Sequence, residues 1–118
     1  NRLIVDAYNA NPTSMAAALD SFGQIATQLP KMAILGDMRE LGEVSEAEHQ
    51  KVVDTLKAKG LNDVWLVGEE FGKTRCDFHK YNNVEEVKQA IASYKPCGKC
   101  ILIKGSNGTK LFELPELL

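Results

Sequence analysis

Three stretches of this sequence set together residue types that can hold small charged ligands. The run Asp6-Ala7-Tyr8-Asn9-Ala10-Asn11-Pro12-Thr13-Ser14 places a carboxylate and two amides beside a predicted helix start. A carboxylate accepts from ribose hydroxyls, an amide can bond a base edge, and a helix N-terminus favours anions. The same residue types serve a helix cap and a strand end, so Asn11 and Ser14 as caps and Asp6 as strand terminator is the competing reading. The run Lys104-Gly105-Ser106-Asn107-Gly108 combines a cation with a glycine-rich turn, whose backbone N–H groups can form an anion nest suited to a carboxylate or phosphate. The third run, Gly36-Asp37-Met38-Arg39-Glu40-Leu41-Gly42, packs three charges between glycines that let the chain turn sharply. It reads as a solvated surface or as a salt-bridged scaffold supporting a neighbouring site.

Other chemistries find little support. The chain holds no G-x-x-x-x-G-K-[ST] phosphate loop and no G-x-G-x-x-G dinucleotide fingerprint. Cys76-x-x-His79 and Cys97-x-x-Cys100 have zinc-ligand spacing, but Cys100 opens an apolar run, where free cysteine behaves as a small hydrophobe. A redox C-x-x-C belongs at a helix N-terminus after a strand, which does not fit this pair. Neither His49 nor His79 has an evident Ser or Cys nucleophile partner, so no catalytic residue and no metal site is assigned.

The three loops need elements to hold them. Four short, β-branched-rich runs recur: Leu3-Ile4-Val5, Met32-Ala33-Ile34-Leu35, Val64-Trp65-Leu66-Val67 and Ile101-Leu102-Ile103. They are continuous rather than alternating, as strands buried on both faces are. A weaker run at 77–81 predicts a fifth, edge strand. Between them, Met15, Ala18, Leu19, Phe22, Ile25, Ala26 and Leu29 form one apolar helical stripe, with Asn11 as cap and Pro12 in the first turn. Ser45-Glu46-Ala47-Glu48 reads as a capping box opening a second helix, which carries Val52, Val53 and Leu56 and stops at Gly60. A third helix starts at Asn83 and presents Val84, Val87, Ala90, Ile91 and Tyr94. A final helix is expected after Gly108. Regular alternation of strand and helix predicts an α/β, Rossmann-like three-layer sandwich, a mostly parallel sheet with helices on both faces. Ligands of such sheets bind outside the carboxyl ends of the strands, which makes Asp6–Asn11, Gly36–Gly42, Gly68–Lys73 and Lys104–Gly108 the candidate loops.

With 118 residues the chain has the length of one domain. Hydrophobic residues at 44% and charged residues at 25% are ordinary globular values, which argue against disorder. The 14 basic residues are scattered among 16 acidic ones, so there is no footprint for nucleic acid. No apolar run reaches the roughly 20 residues of a bilayer crossing, so no membrane partner is expected. Three cysteines, an odd number, fit a reducing compartment, and the expected location is cytoplasmic. The first strand begins almost at the first residue, from which we expect a domain excised from a longer protein.

The three loops, taken in order, resemble a known family. Asp6-x-Tyr8-Asn9-Ala10-Asn11-Pro12-x-Ser14-Met15 resembles the signature that opens the C-terminal domain of the D-Ala-D-Ala-adding Mur ligases. Leu35-Gly36-Asp37-Met38-x-Glu40-Leu41-Gly42 followed by His49, and Ile103-Lys104-Gly105-Ser106, resemble its second and third signatures. The likeness spans residues 3 to about 112. It implies a Rossmann-like unit that closes over a central ATPase domain of a three-domain, monomeric enzyme and is inactive alone. By resemblance, Asp6 contacts the ATP ribose, with Tyr8, Asn9 and Asn11 near the nucleotide. Lys104, Gly105 and Ser106 help receive D-Ala-D-Ala, and Asp37 and Glu40 order the cleft loops. The implied partners are that central domain, the N-terminal UDP-sugar domain and the substrate UDP-MurNAc-tripeptide, with ATP and Mg²⁺ used by the whole enzyme. Where many relatives carry Arg after Lys-Gly-Ser, this chain has Asn107. Two readings from other classes compete: a stand-alone Rossmann-like module binding a small ligand or partner, and a zinc-stabilised interaction module.

Overall fold

The computed structural model describes all 118 residues. Five strands form one parallel sheet: β1 (Arg2–Asp6), β2 (Lys31–Gly36), β3 (Val64–Val67), β4 (His79–Tyr81) and β5 (Cys100–Lys104), in the order β1-β5-β2-β3-β4. Four helices connect them: α1 (Pro12–Gln24), α2 (Ser45–Ala58), α3 (Glu69–Gly72) and α4 (Val84–Ser93). The crossovers from β1 through β4 advance in one direction, and the last returns β5 to the gap between β1 and β2. Because parallel crossovers are right-handed, a reversal of direction sends the connecting helix to the opposite face. Accordingly α1, α2 and α3 cover one face, and α4 with the C-terminal turns covers the other.

The three inner strands divide their side chains between the layers with period two. Ala33, Leu35, Val64, Leu66, Cys100 and Leu102 pack against Met15, Leu19 and Phe22 of α1 and Val53 and Leu56 of α2. Met32, Ile34, Trp65, Val67, Ile101 and Ile103 pack against Val84, Val87 and Ile91 of α4 and against Leu111 and Leu114. The continuous apolar runs are therefore those of strands covered on both sides. Cys100 is a core residue, Cys97 is exposed and Cys76 is half-buried, all three as free thiols. No helix is long and apolar enough to cross a membrane.

Several local expectations are corrected. β1 is an edge strand: its burial is only partial and Val5 is 44% exposed, because nothing pairs with its outer side. α1 ends at Gln24, and Leu29 lies exposed beyond it, outside the stripe assigned to it. The cap at Asn11 holds, with its side chain accepting from the Ser14 N–H and the Ser14 hydroxyl accepting in return. The capping box at Ser45 does not form. A 3-10 turn at Gly42–Val44 runs straight into α2, so its first N–H groups already have backbone partners and the Ser45 hydroxyl is free to bond elsewhere. Tyr94 lies past the end of α4 and is exposed. The final helix is absent; three successive 3-10 turns, Asn107–Thr109, Leu111–Glu113 and Pro115–Leu117, take its place.

The revised α4 boundary separates two residues of its apolar stripe. Ile91→Ala is expected to cost about 2–4 kcal/mol of stability in a denaturant titration. Tyr94→Ala is expected to change it by no more than about 0.5 kcal/mol.

Candidate functional site

The backbone ladder continues just past the ends of the strands and ties the carboxyl-edge loops into a row. Gly105 N–H donates to the Asp6 carbonyl, Ser106 N–H to the Asp37 carbonyl, Asp37 N–H to the Val67 carbonyl and Gly68 N–H to the Tyr81 carbonyl. Since chain leaves β5 toward one face and leaves β1 and β2 toward the other, a crevice opens on each side of the β5 end, the arrangement that favours ligand sites.

In the β1–β5 crevice, Lys104 is 1% exposed, and its ammonium lies 2.5 Å from Asp6 Oδ2 and 3.1 Å from the Asn9 carbonyl. A buried cation needs such partners, because desolvation without pairing costs several kcal/mol. Lys104 therefore fastens the first loop to the sheet. Asp6 keeps more than half of its side chain in solvent, and Tyr8, Asn9 and Asn11 are also exposed. The structure thus gathers the first-loop residues with Lys104. It narrows the anion nest: the Gly105 and Ser106 N–H groups are spent on neighbouring carbonyls and the lysine charge on Asp6, which leaves the turn only the N–H groups of Asn107 and Gly108. The turn also keeps free the Ser106 hydroxyl, the one buried side-chain polar atom without a hydrogen-bond partner.

Beyond β2 the second loop is a scaffold rather than a solvated surface. Asp37 is buried, and its carboxylate accepts from the N–H groups of Glu70 at 3.0 Å and Phe71 at 2.9 Å, so it caps α3 from across the chain. His49 is fully buried; its Nε2 accepts from the Met38 N–H at 3.0 Å, and its Nδ1 lies 2.7 Å from the Ser45 carbonyl. With one ring nitrogen accepting, the other must donate. The Ser45 hydroxyl donates to Glu70 Oε1 at 2.6 Å. That bond, and then Lys73, hold the Glu70 carboxyl below its ordinary range. Glu40, by contrast, is exposed, and it shapes the loop through a backbone φ of 64°.

Residues 37–42, 68–70, 82–85 and 108–110 wall a cleft of about 770 Å³. Its cations are Arg39 and Lys110, set against Asp37, Glu40, Glu69, Glu70 and Glu85. The Arg39 guanidinium lies against Gly108, where a Cβ would stand 3.0 Å from its Nη2. Gly36 and Gly105 make room for Thr109 in the same way, since a Cβ at either would stand 2.7 Å from its hydroxyl. The sequence reading passed over Arg39, Thr109 and Lys110 as cleft-lining residues. The signal available was the arginine among the second-loop charges. No three His, Cys, Asp or Glu side chains converge as a metal site.

A family model described as "Mur ligase, glutamate ligase domain" matches residues 1–107. Among curated relatives, the UDP-N-acetylmuramoyl-tripeptide–D-alanyl-D-alanine ligase of Mycobacterium tuberculosis is 48% identical over 98% of this chain and 28% of its own length. The enzyme of the same name from Escherichia coli is 41% identical over 98% of this chain and 26% of its own length, and that of Rickettsia prowazekii 36% over 98% and 27%. The chain thus spans about a quarter of the length of these relatives. Among solved structures, MurF from Acinetobacter baumannii superposes with a TM-score of 0.75 at 29% identity, over 92% of this chain and 25% of that one. A MurF ligase from Thermotoga maritima in complex with ADP gives 0.76 at 21% identity, over 98% and 27%, a likeness of fold.

The Asp37 cap fits only because residue 68 lacks a side chain. Gly68 has φ of 121°, and a Cβ there would stand 2.2 Å from Asp37 Oδ2. Gly68→Ala is therefore expected to cost at least about 3 kcal/mol from backbone strain and overpacking together, lowering Tm by about 10 °C or more.

Proposed function

We propose, for a chain that belongs to the Mur ligase family through its glutamate ligase domain, that it is the C-terminal domain of a longer ligase joining D-Ala-D-Ala to UDP-MurNAc-tripeptide. The observation that carries this reading is the carboxyl-edge row itself. All three signature loops meet there, with Asp6 held on Lys104 and the Asp37 loop walling a cleft beside them.

In the complete enzyme, the tripeptide carboxylate would attack the γ-phosphate of ATP, giving an acyl phosphate and ADP. The dipeptide amine would then attack the acyl carbon and displace phosphate, leaving the new amide. Such phosphoryl transfer is driven mostly by positioning and charge neutralisation. Neither a phosphate loop nor a metal cluster is present in this chain, so those parts are assigned to the central ATPase domain, with the nucleotide sugar held by the N-terminal one. The residues here would orient substrates and complete the site on domain closure.

Within that division of labour, the exposed Asp6 carboxylate would accept from the ATP ribose, with Tyr8, Asn9 and Asn11 beside the nucleotide. Lys104 would act by holding Asp6 and the Asn9 carbonyl in place. The cleft would receive the dipeptide. Arg39 and Lys110 are its only cations and suit a carboxylate, while the acidic wall suits an ammonium. The unpartnered Ser106 hydroxyl, on the Gly105 turn, is free to donate to the substrate. Asp37 and Glu40 would fix the loop that carries Arg39.

Coding sequence upstream of Asn1 is expected to carry a G-K-[ST] phosphate loop in the same frame; an open reading frame that starts at Asn1 would defeat the multidomain reading. In the complete enzyme, Asp6→Ala should raise the KM for ATP at least tenfold, and it should also lower the thermal melt because the buried Lys104 ammonium loses its carboxylate. Unchanged ATP kinetics would remove the ribose role.

A further inference from the structure

The backbone that carries Arg39 is held from below, residue by residue. Asp37 is fastened through its N–H on Val67, its carbonyl on Ser106 and its carboxylate on α3. Met38 is buried, with its side chain in the core on the α1 and α2 face. Its N–H donates to His49 Nε2 at 3.0 Å. That ring is placed by α2 and α3. It is fully buried, its Nδ1–H donates to the Ser45 carbonyl one turn earlier at 2.7 Å, and Phe71 meets it at 84° with centroids 4.7 Å apart. Nε2 stands 3.9 Å from Asp37 Oδ1, beyond hydrogen-bond reach, so it serves Met38 and not the carboxylate. His49 is not among the residues that wall the cleft, whereas Arg39 is, its guanidinium lying against Gly108 of the third loop.

We propose that His49 is a positioning residue for the incoming dipeptide: by accepting the Met38 N–H it fixes the backbone from which Arg39 presents its guanidinium to the cleft. The inference rests on the reading of the cleft as the dipeptide site and adds a buried residue outside it on which that site depends. A guanidinium meets a carboxylate best in two-point geometry, and a long side chain keeps that geometry only from a fixed base. Displacing a binding group by about 1 Å through a change remote from the chemistry can cost on the order of a hundredfold in rate. The acceptor matters more than the bulk of the ring. Without it the buried Met38 N–H is left unpaired, and the loop must shift to find another partner.

The test is steady-state kinetics of the complete ligase, varying D-Ala-D-Ala and ATP in turn, for His49→Asn, His49→Gln, Arg39→Ala and the double variant of His49→Asn with Arg39→Ala, each with a thermal melt. An asparagine amide takes the place of Nδ1 but falls short of Nε2, whereas a glutamine amide reaches the Nε2 position and can accept there. His49→Asn is expected to raise the KM for D-Ala-D-Ala about tenfold and to leave that for ATP unchanged. His49→Gln should stay within about threefold of the parent enzyme, because it keeps the Met38 bond. With Arg39 already removed, His49→Asn should add nothing, since a residue acting through another is not additive with it. Equal effects of Asn and Gln, a rise in both KM values, or additive effects in the double variant would each mean a purely structural role and overturn the proposal. If His49→Asn does not fold, His49→Leu, which fills the space without an acceptor, takes its place. A rise with Arg39→Ala but none with His49→Asn defeats the positioning role and leaves the cleft reading standing; no rise with Arg39→Ala defeats both.

Discussion

β5 is hydrogen-bonded on both sides, to β1 and to β2, although it comes last in the chain. That placement sets the rest of the carboxyl edge. It brings Lys104 between two acidic loop starts, and it forces the segment after β5 to leave toward the face opposite α1 and α2. The buried ammonium then has to find acceptors, and the first loop supplies both: the Asp6 carboxylate and the Asn9 carbonyl. Pairing at this depth is worth less as stability than as geometry, since desolvation offsets much of the attraction. Its consequence is that Asp6 and the loop behind it have one position relative to the sheet.

A second fixed point lies at the end of β2, where Asp37 accepts two backbone N–H groups from α3 and leaves no space for a side chain at Gly68. Behind it, the buried His49 ring joins Met38 to Ser45, and the Ser45 hydroxyl joins α2 to Glu70. The buried polar groups of this cluster, Asp37, Ser45 and His49, bond to neighbouring protein groups rather than to solvent. The loop is thereby rigid at its base, while Arg39 and Glu40 at its tip stay exposed. A rigid base with a polar, exposed tip suits a wall that meets a substrate or another domain.

The unsatisfied Ser106 hydroxyl stands out against this economy. A buried hydroxyl without a partner costs about 1–3 kcal/mol, and native folds keep few of them. It lies on the Gly105 turn, two residues after Lys104 and outside the residues that wall the cleft, and under the proposed function a substrate group would relieve that cost.

Much of the architecture was legible in the amino-acid order. The continuous, β-branched-rich apolar runs at 32–35, 64–67 and 101–103 read as strands covered on both faces, and Asn11 and Asn83 marked their helices because capping is a local matter. The loop signatures and their order identified the family without any coordinates. What local pattern could not decide was partnership. Ser45 has the sequence of a capping box, but its hydroxyl goes to Glu70, 25 residues away, because a preceding 3-10 turn had already satisfied the helix start. Lys104 reads as a free cation beside glycines, and only the insertion of β5 next to β1 turns its charge onto Asp6, 98 residues earlier. Likewise Phe112 is one more apolar residue until the C-terminal turns lay it against Tyr8. The sequence by itself determined the five strands, the three long helices and the charged loops between them, since periodicity and caps act over a few residues. Tertiary structure decided which charges are spent on the fold and which remain for a ligand, since that depends on groups far apart in the chain that meet only when the sheet closes.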